Sequence, residues 1–184
     1  MRNILVISLL FVYSMTTAQK IKYSKAMLEK LTLTEIDLFE PVEGKYKSRR
    51  SLKNDYQRID HTIYSKQEKL EIRYAILPYF EQDPSTQVPH VAFMRVISSV
   101  APNEDDVTVT VHTIPQVELK KQFNADWGSV AYFKPKPRFS NAKHCRLLTL
   151  YGDKRGTIHI FYLFDKPDIA LDNRYYGMRF KTGL

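Results

Sequence analysis

The chain has one cysteine, Cys145, and only six glycines in 184 residues. A single cysteine excludes any disulfide within the chain. So few glycines leave little for a phosphate-cradling loop, and neither GxGxxG nor a Walker loop occurs. The HExxH pair of zinc proteases and the GxSxG elbow are missing as well. The five histidines, His61, His90, His112, His144 and His159, stand at no metal-ligand spacing from one another. No catalytic residue, metal ligand or cofactor is therefore assigned. Acid is also in short supply, with 20 Asp and Glu against 28 Lys and Arg, a formal charge of +8. Beyond the N-terminus there is no apolar run of about 18 residues, the length that would mark a membrane-spanning helix.

What is present begins with an export pattern. Arg2 precedes the apolar stretch "ILVISLLFVY", and Thr16 and Ala18 place small residues before Gln19. That is the layout of a cleavable signal peptide over residues 1–18. The apolar stretch is too short to span a bilayer, which takes about 20 residues. The remaining length suits one domain, so residues 19–35 read as an N-terminal lead-in and 36–184 as a single domain. The expected location is the periplasm or the medium. There the charge is expected to meet an anionic ligand, an envelope component or an acidic protein, and no nucleic acid. Charge of this kind favours encounter without naming the partner.

Residues 19–35 are open between a short helix, "SKAMLEKLTL", and a flexible segment. "EIDLFEPVEGKY" predicts a first strand, broken at Pro41, with a turn near Gly44. "DYQRIDHTIYS" and "KLEIRYAIL" alternate, which predicts a hairpin with one polar, half-exposed face. Phe93, Val96, Ile97 and Val100 fall at i, i+3, i+4 and i+7, the stripe of an amphipathic helix, and Pro89 suits its first turn. "VTVTVHTI" reads as a strand. In "TIPQVELKKQFNADWG", Thr113 and Gln116 have capping-box spacing. Leu119, Phe123 and Trp127, four apart, predict one buried helix face, and Gly128 stands where a left-handed C-cap belongs.

The last third is the most regular. With Tyr151 opposite Thr157, one face of the hairpin "HCRLLTLYGDKRGTIHIFYLF" carries Cys145, Leu147, Thr149, His159, Phe161 and Leu163. The other carries Leu148, Leu150, Ile158, Ile160, Tyr162 and Phe164. Both faces are mainly apolar, so both must be covered. The expected fold is α+β, a central antiparallel sheet with helices on both faces, and "NRYYGMRF" supplies a last strand. His144 and Cys145, being consecutive strand residues, point to opposite faces and cannot form a nucleophile–base dyad. Cys145 reads as an inert, buried thiol. The carboxylate pairs Asp165 with Asp168, and Glu104 with Asp105 or Asp106, lie in turn-like sequence.

Two basic segments remain. Lys134, Lys136 and Arg138 alternate beside Tyr132, Phe133 and Phe139. They read either as a cationic ridge for an anionic ligand or as edge protection by Lys and Pro. The candidate ligand residues are Tyr132, Lys134, Lys136 and Arg138. Lys45, Lys47, Arg49, Arg50 and Lys53 form a second basic run, read as a solvated loop rather than a docking patch.

The order of parts, together with "FNADWG" and the final hairpin, resembles the PsbP-like α/β/α sandwich, in particular small exported bacterial proteins of that shape. The resemblance covers roughly residues 36–180. It implies an assembly or scaffold role and not an enzyme, and it carries over no site residue. Fold-level likeness is an associational argument for function. The functional expectation is a secreted, non-catalytic binding or accessory protein. The alternative is a hydrolase acting on cell-envelope or extracellular material, its acids and histidines brought together by the fold.

Overall fold

The two strands with apolar side chains on both faces lie at the middle of the molecule. The computed structural model describes residues 21–41, 44–50, 54–103, 108–166, 171 and 177–182. Its elements are α1 (Lys25–Leu33), β1 (Ile36–Leu38), β2 (Lys47–Arg49), β3 (His61–Ser65), β4 (Leu70–Pro78), α2 (Pro89–Val100), β5 (Thr110–Thr113), β6 (Trp127–Phe133), β7 (His144–Gly152), β8 (Gly156–Phe164) and β9 (Met178–Phe180). Seven strands form an antiparallel sheet in the order β2-β3-β4-β8-β7-β6-β5, and β1 pairs with β9 in a separate two-stranded ribbon. The chain is thus α+β and dominated by its sheet. The expected signal peptide, Lys53, Glu104, Asp105, Asp106 and Asp168 lie outside the described residues. No helix among the described residues is long and apolar enough to cross a membrane.

Tyr151 pairs with Thr157, the register that the alternation requires. Every residue of β8 is buried. On one side Leu148, Leu150, Ile158, Ile160, Tyr162 and Phe164 join Ile63, Ile72 and Tyr74 in a core that includes Met27 and Leu31 of α1 and Met178 and Phe180 of β9. On the other side Cys145, Leu147, Phe161 and Leu163 join Ala75, Ala131 and Phe133 with Phe93, Val96, Ile97 and Val100 of α2. The α2 stripe is the one that the spacing predicts. Residues 25–33 resolve to the helix reading. Ser24 caps α1 by accepting from the Met27 amide, and Lys30 ties the helix to the sheet through Asp60 (2.7 Å) and the Ile76 carbonyl (2.8 Å).

The β3–β4 hairpin forms as predicted, but its second face is not half-exposed. Arg73 and Ala75 are buried there. A charged side chain is tolerated in that position because it is fully engaged. Arg73 donates to the Glu71 carboxylate (2.6 Å) and to the Phe139 carbonyl (2.7 Å), and its guanidinium lies 4.8 Å from the Phe139 ring centroid.

A second difference lies between residues 113 and 128. The helix does not run to Trp127. A single turn, Gln116–Glu118, passes into a π-helical stretch, Leu119–Phe123, and Asn124 ends it in the left-handed conformation (φ 48°). Asn tolerates that conformation. Here its side-chain amide also donates to the Lys181 carbonyl (2.6 Å), an anchor that glycine lacks. Thr113 belongs to β5 opposite Ser129, so the capping pair does not form and Pro115 stands at the N-cap without a side-chain bond. Gly128 is needed for space within β6, since a Cβ there would lie 2.6 Å from Leu119 Cδ2. Leu119 and Phe123 pack into the α1 side of the core, whereas half-buried Trp127 packs on the α2 side. Its ring meets Phe93 edge-on with centroids 5.7 Å apart.

The expected outcome is selective. Phe93→Ala shifts the native emission of Trp127 to longer wavelength. Phe123→Ala costs about 3–5 kcal/mol of stability yet leaves the native emission maximum in place. A red shift from Phe123→Ala as large as that from Phe93→Ala would return Trp127 to the Phe123 face.

Candidate functional site

The four residues proposed from the sequence are divided by the structure. After Phe133 the chain leaves the sheet and closes a turn, with the Phe139 and Ser140 amides donating to the Lys136 carbonyl. Lys136 is half-buried. Its ammonium donates to the Ser98 and Ser99 carbonyls (3.1 and 2.9 Å) and lies 5.3 Å from the Tyr56 ring centroid. A cation at the last carbonyls of α2 satisfies acceptors that the helix itself leaves open. Lys134 and Arg138 are exposed. Tyr132 is exposed on β6, with the Arg146 guanidinium 5.4 Å from its ring centroid and the His112 ring edge-on to it at 6.2 Å. Lys136 is thus engaged by the end of α2, while Lys134 and Arg138 face solvent.

Cations gather instead at the opposite edge of the sheet. The run read from sequence as a solvated loop contains β2, an edge strand paired with β3 (Lys47 opposite Tyr64, Arg49 opposite Thr62). Alternation sets its local form. Tyr46 is buried while Lys45 and Lys47 on either side are exposed. Gly44 takes φ +85°, and its carbonyl accepts from the buried Ser65 hydroxyl. The Tyr46 hydroxyl donates to the Glu68 carboxylate. The segment is thus fastened at residues 44 and 46, and the lysines project from a fixed backbone.

Beside this strand lies an open depression of about 770 Å³ lined by Lys45, Lys47, Ser48, Arg49, Tyr64, Lys66 and Gln67. It holds four basic side chains and no acid. A second depression, about 510 Å³, shares Arg49, Tyr64 and Lys66 with the first and continues over Lys69, Glu71, Arg73, Asn141, Phe164 and Asp165. Both volumes fall in the range of small-molecule sites. Glu71 does not cancel the cations as a free acid would. It accepts from both Arg49 (2.8 Å) and buried Arg73 (2.6 Å), which leaves one net positive charge on the trio. Arg49 also lies 5.2 Å from the Tyr64 ring centroid. The signal was present in the sequence as five basic residues without an acid between 45 and 53. What the sequence does not show is that Lys66 and Lys69 of the β3–β4 turn face the same space.

The remaining chemistry is interior. Cys145 is buried on the α2 side, and burial pushes its thiol well up from the ordinary value. His144 stacks on Phe164 (5.5 Å) and so lies on the other side of the sheet from Cys145. His159 is wholly buried. Its Nδ1 lies 2.8 Å from Thr149 Oγ1, and its Nε2 has no hydrogen-bond partner among the described residues. Burial pushes that imidazole down to about 3, so it is neutral in the fold. No group of three or more His, Cys, Asp or Glu among the described residues is placed to hold a metal ion. Comparison with protein-family models, curated proteins and solved structures finds no match.

His159 gives the fold a pH dependence with a definite sign. The unfolded chain binds the proton near 6.5 and the folded chain only near 3. Stability is therefore full above pH 6.5 and is lost as pH falls from there toward 3, at about 1.4 kcal/mol per unit. In urea titrations between pH 6.5 and 4, His159→Gln is expected to flatten this part of the slope. An identical slope in the variant would show that His159 is not the group responsible.

Proposed function

We propose that this chain is an exported, non-catalytic binding or accessory protein that captures an anionic ligand in the basic trench beside β2. The observation that carries this reading is the first depression, where Lys45, Lys47, Arg49 and Lys66 converge without an acid. Like charges at an open surface repel one another and are costly to gather. An anion from solution relieves that repulsion, and a low-dielectric wall strengthens the attraction. The fastening of Gly44 and Tyr46 supports the reading, because a binding surface fixed in advance loses less entropy on capture.

The exported location rests on residues 1–18. The layered arrangement, with α1 on one side of the sheet and α2 on the other, supports an α/β/α sandwich of the PsbP-like kind, with the accessory role that this resemblance implies. The ligand would be an envelope component or an acidic macromolecule of the same compartment. A hydrolase asks for an acid free to donate or accept a proton. Of the two acids that line the trench, Glu71 is held by two arginines and Asp165 already accepts from the Lys143 amide, which favours binding over catalysis.

Reversing charge tests this at positions that carry no core. Lys45→Glu with Lys47→Glu is expected to reduce affinity for sulfated or carboxylated polymers by at least about tenfold at low salt and to flatten the salt dependence. The unfolding midpoint should stay near that of the parent protein, since both side chains are exposed. Retained affinity with an unchanged salt dependence would rule out the trench.

A further inference from the structure

Building on that reading, we infer that the trench takes an extended acidic saccharide. Its charged groups lie in the first depression and its neutral, hydroxyl-bearing part lies in the second. Three features point to this ligand chemistry. The first is extent. The two depressions share Arg49, Tyr64 and Lys66, so they form one continuous surface longer than a single small anion requires.

The second is how the charge is spread. Three of the four cations in the first depression are lysines, compact point charges. The one arginine already has a nitrogen on Glu71. A phosphate or sulfate site of focused charge favours bidentate arginine or clustered backbone amides. Here Lys47 and Arg49 are alternate residues of β2, about 7 Å apart, while Lys45 precedes that strand and Lys66 comes from the β3–β4 turn, so the charges are distributed and not focused on one point. Singly charged groups spaced along a polymer match that pattern.

The third is the change in lining along the trench. The first depression has four cations and no acid, whereas in the second the four cations Arg49, Lys66, Lys69 and Arg73 are offset by the two acids Glu71 and Asp165, with Asn141 beside them. Asp165 is an exposed acceptor that receives the Lys143 amide (3.1 Å) and retains a further oxygen. An amide that both donates and accepts, beside a carboxylate acceptor, suits sugar hydroxyls, which also do both. A carboxylate there would repel a uniformly charged polyanion. Ser48 and Gln67 supply similar neutral groups within the first depression, and Tyr64 offers a ring beside them.

The test uses the folded chain and isothermal titration at fixed low salt. The probes are glucuronate, hyaluronan oligosaccharides of about four to six units, in which charged and neutral sugars alternate, maltohexaose, inorganic polyphosphate and phosphatidylglycerol vesicles. The hyaluronan oligomers should bind at least about tenfold more tightly than glucuronate, because linked contacts act at high effective concentration. Maltohexaose should bind far more weakly than either. Asn141→Ala with Asp165→Asn should cost the oligomers several times more affinity than it costs glucuronate. Tighter binding of polyphosphate or of the vesicles than of the hyaluronan oligomers would overturn the saccharide assignment. Equal losses for monomer and oligomer in the double variant would overturn the role of the second depression. If no anion of any kind binds, the failure lies with the anion-capture reading itself.

Discussion

The whole arrangement depends on one constraint: β7 and β8 carry apolar side chains on both faces. A strand pair with one wet face can stand at the surface, and this one cannot. It has to sit mid-sheet, with β4 and β6 on its flanks and cover above and below. Met27 and Leu31 of α1 and the β1–β9 ribbon pack on one side, and the α2 stripe packs on the other. Each large buried side chain stabilises by about 1.5–3 kcal/mol relative to exposure, so the pair outweighs any local preference at the periphery. Charged and short strands are left for the edges. β2, with Lys47 and Arg49, is such an edge, and the candidate ligand trench runs along it.

Core and trench are joined through one carboxylate. Glu71 lies on β4 and reaches outward to Arg49 of the edge strand and inward to buried Arg73. Arg73 in turn holds the Phe139 carbonyl, so the turn after β6 is fixed by the same charge group. A surface cation and a buried one thereby share a single anion. The rigidity of the packed sheet is handed on to a side chain that faces solvent.

How much of this was legible depended on whether local pattern or distant partner decided the outcome. The β7–β8 register and the α2 stripe were readable because alternation and helical spacing extend over nine and twelve residues, and burial obeys both. Residues 113–128 were misleading for the opposite reason. The four-residue spacing of Leu119, Phe123 and Trp127 is a true helical signal. It is overridden at Asn124, whose amide finds the Lys181 carbonyl far along the chain, so Trp127 starts a strand and turns to the other face. Arg73 looked like a solvent residue because its partners, Glu71 and the Phe139 carbonyl, are visible only in three dimensions. The basic run at 45–53 was visible as composition. Its concavity was not, since Lys66 and Gln67 of the β3–β4 turn complete the lining from another part of the chain. Of the residues proposed from sequence, Lys136 shows the same limit, because its alternation with Lys134 and Arg138 gave no sign of the α2 carbonyls it meets.

Native-state amide hydrogen exchange, read residue by residue, tests the organising role of the two-faced strands most directly. Amides that open only with global unfolding mark the cooperative centre of a fold. The slowest-exchanging amides are expected in β8 and in the adjoining stretches of β4 and β7, with β2 and β5 exchanging far sooner. Protection concentrated in α1, α2 or the β1–β9 ribbon, with β8 exchanging early, would contradict it.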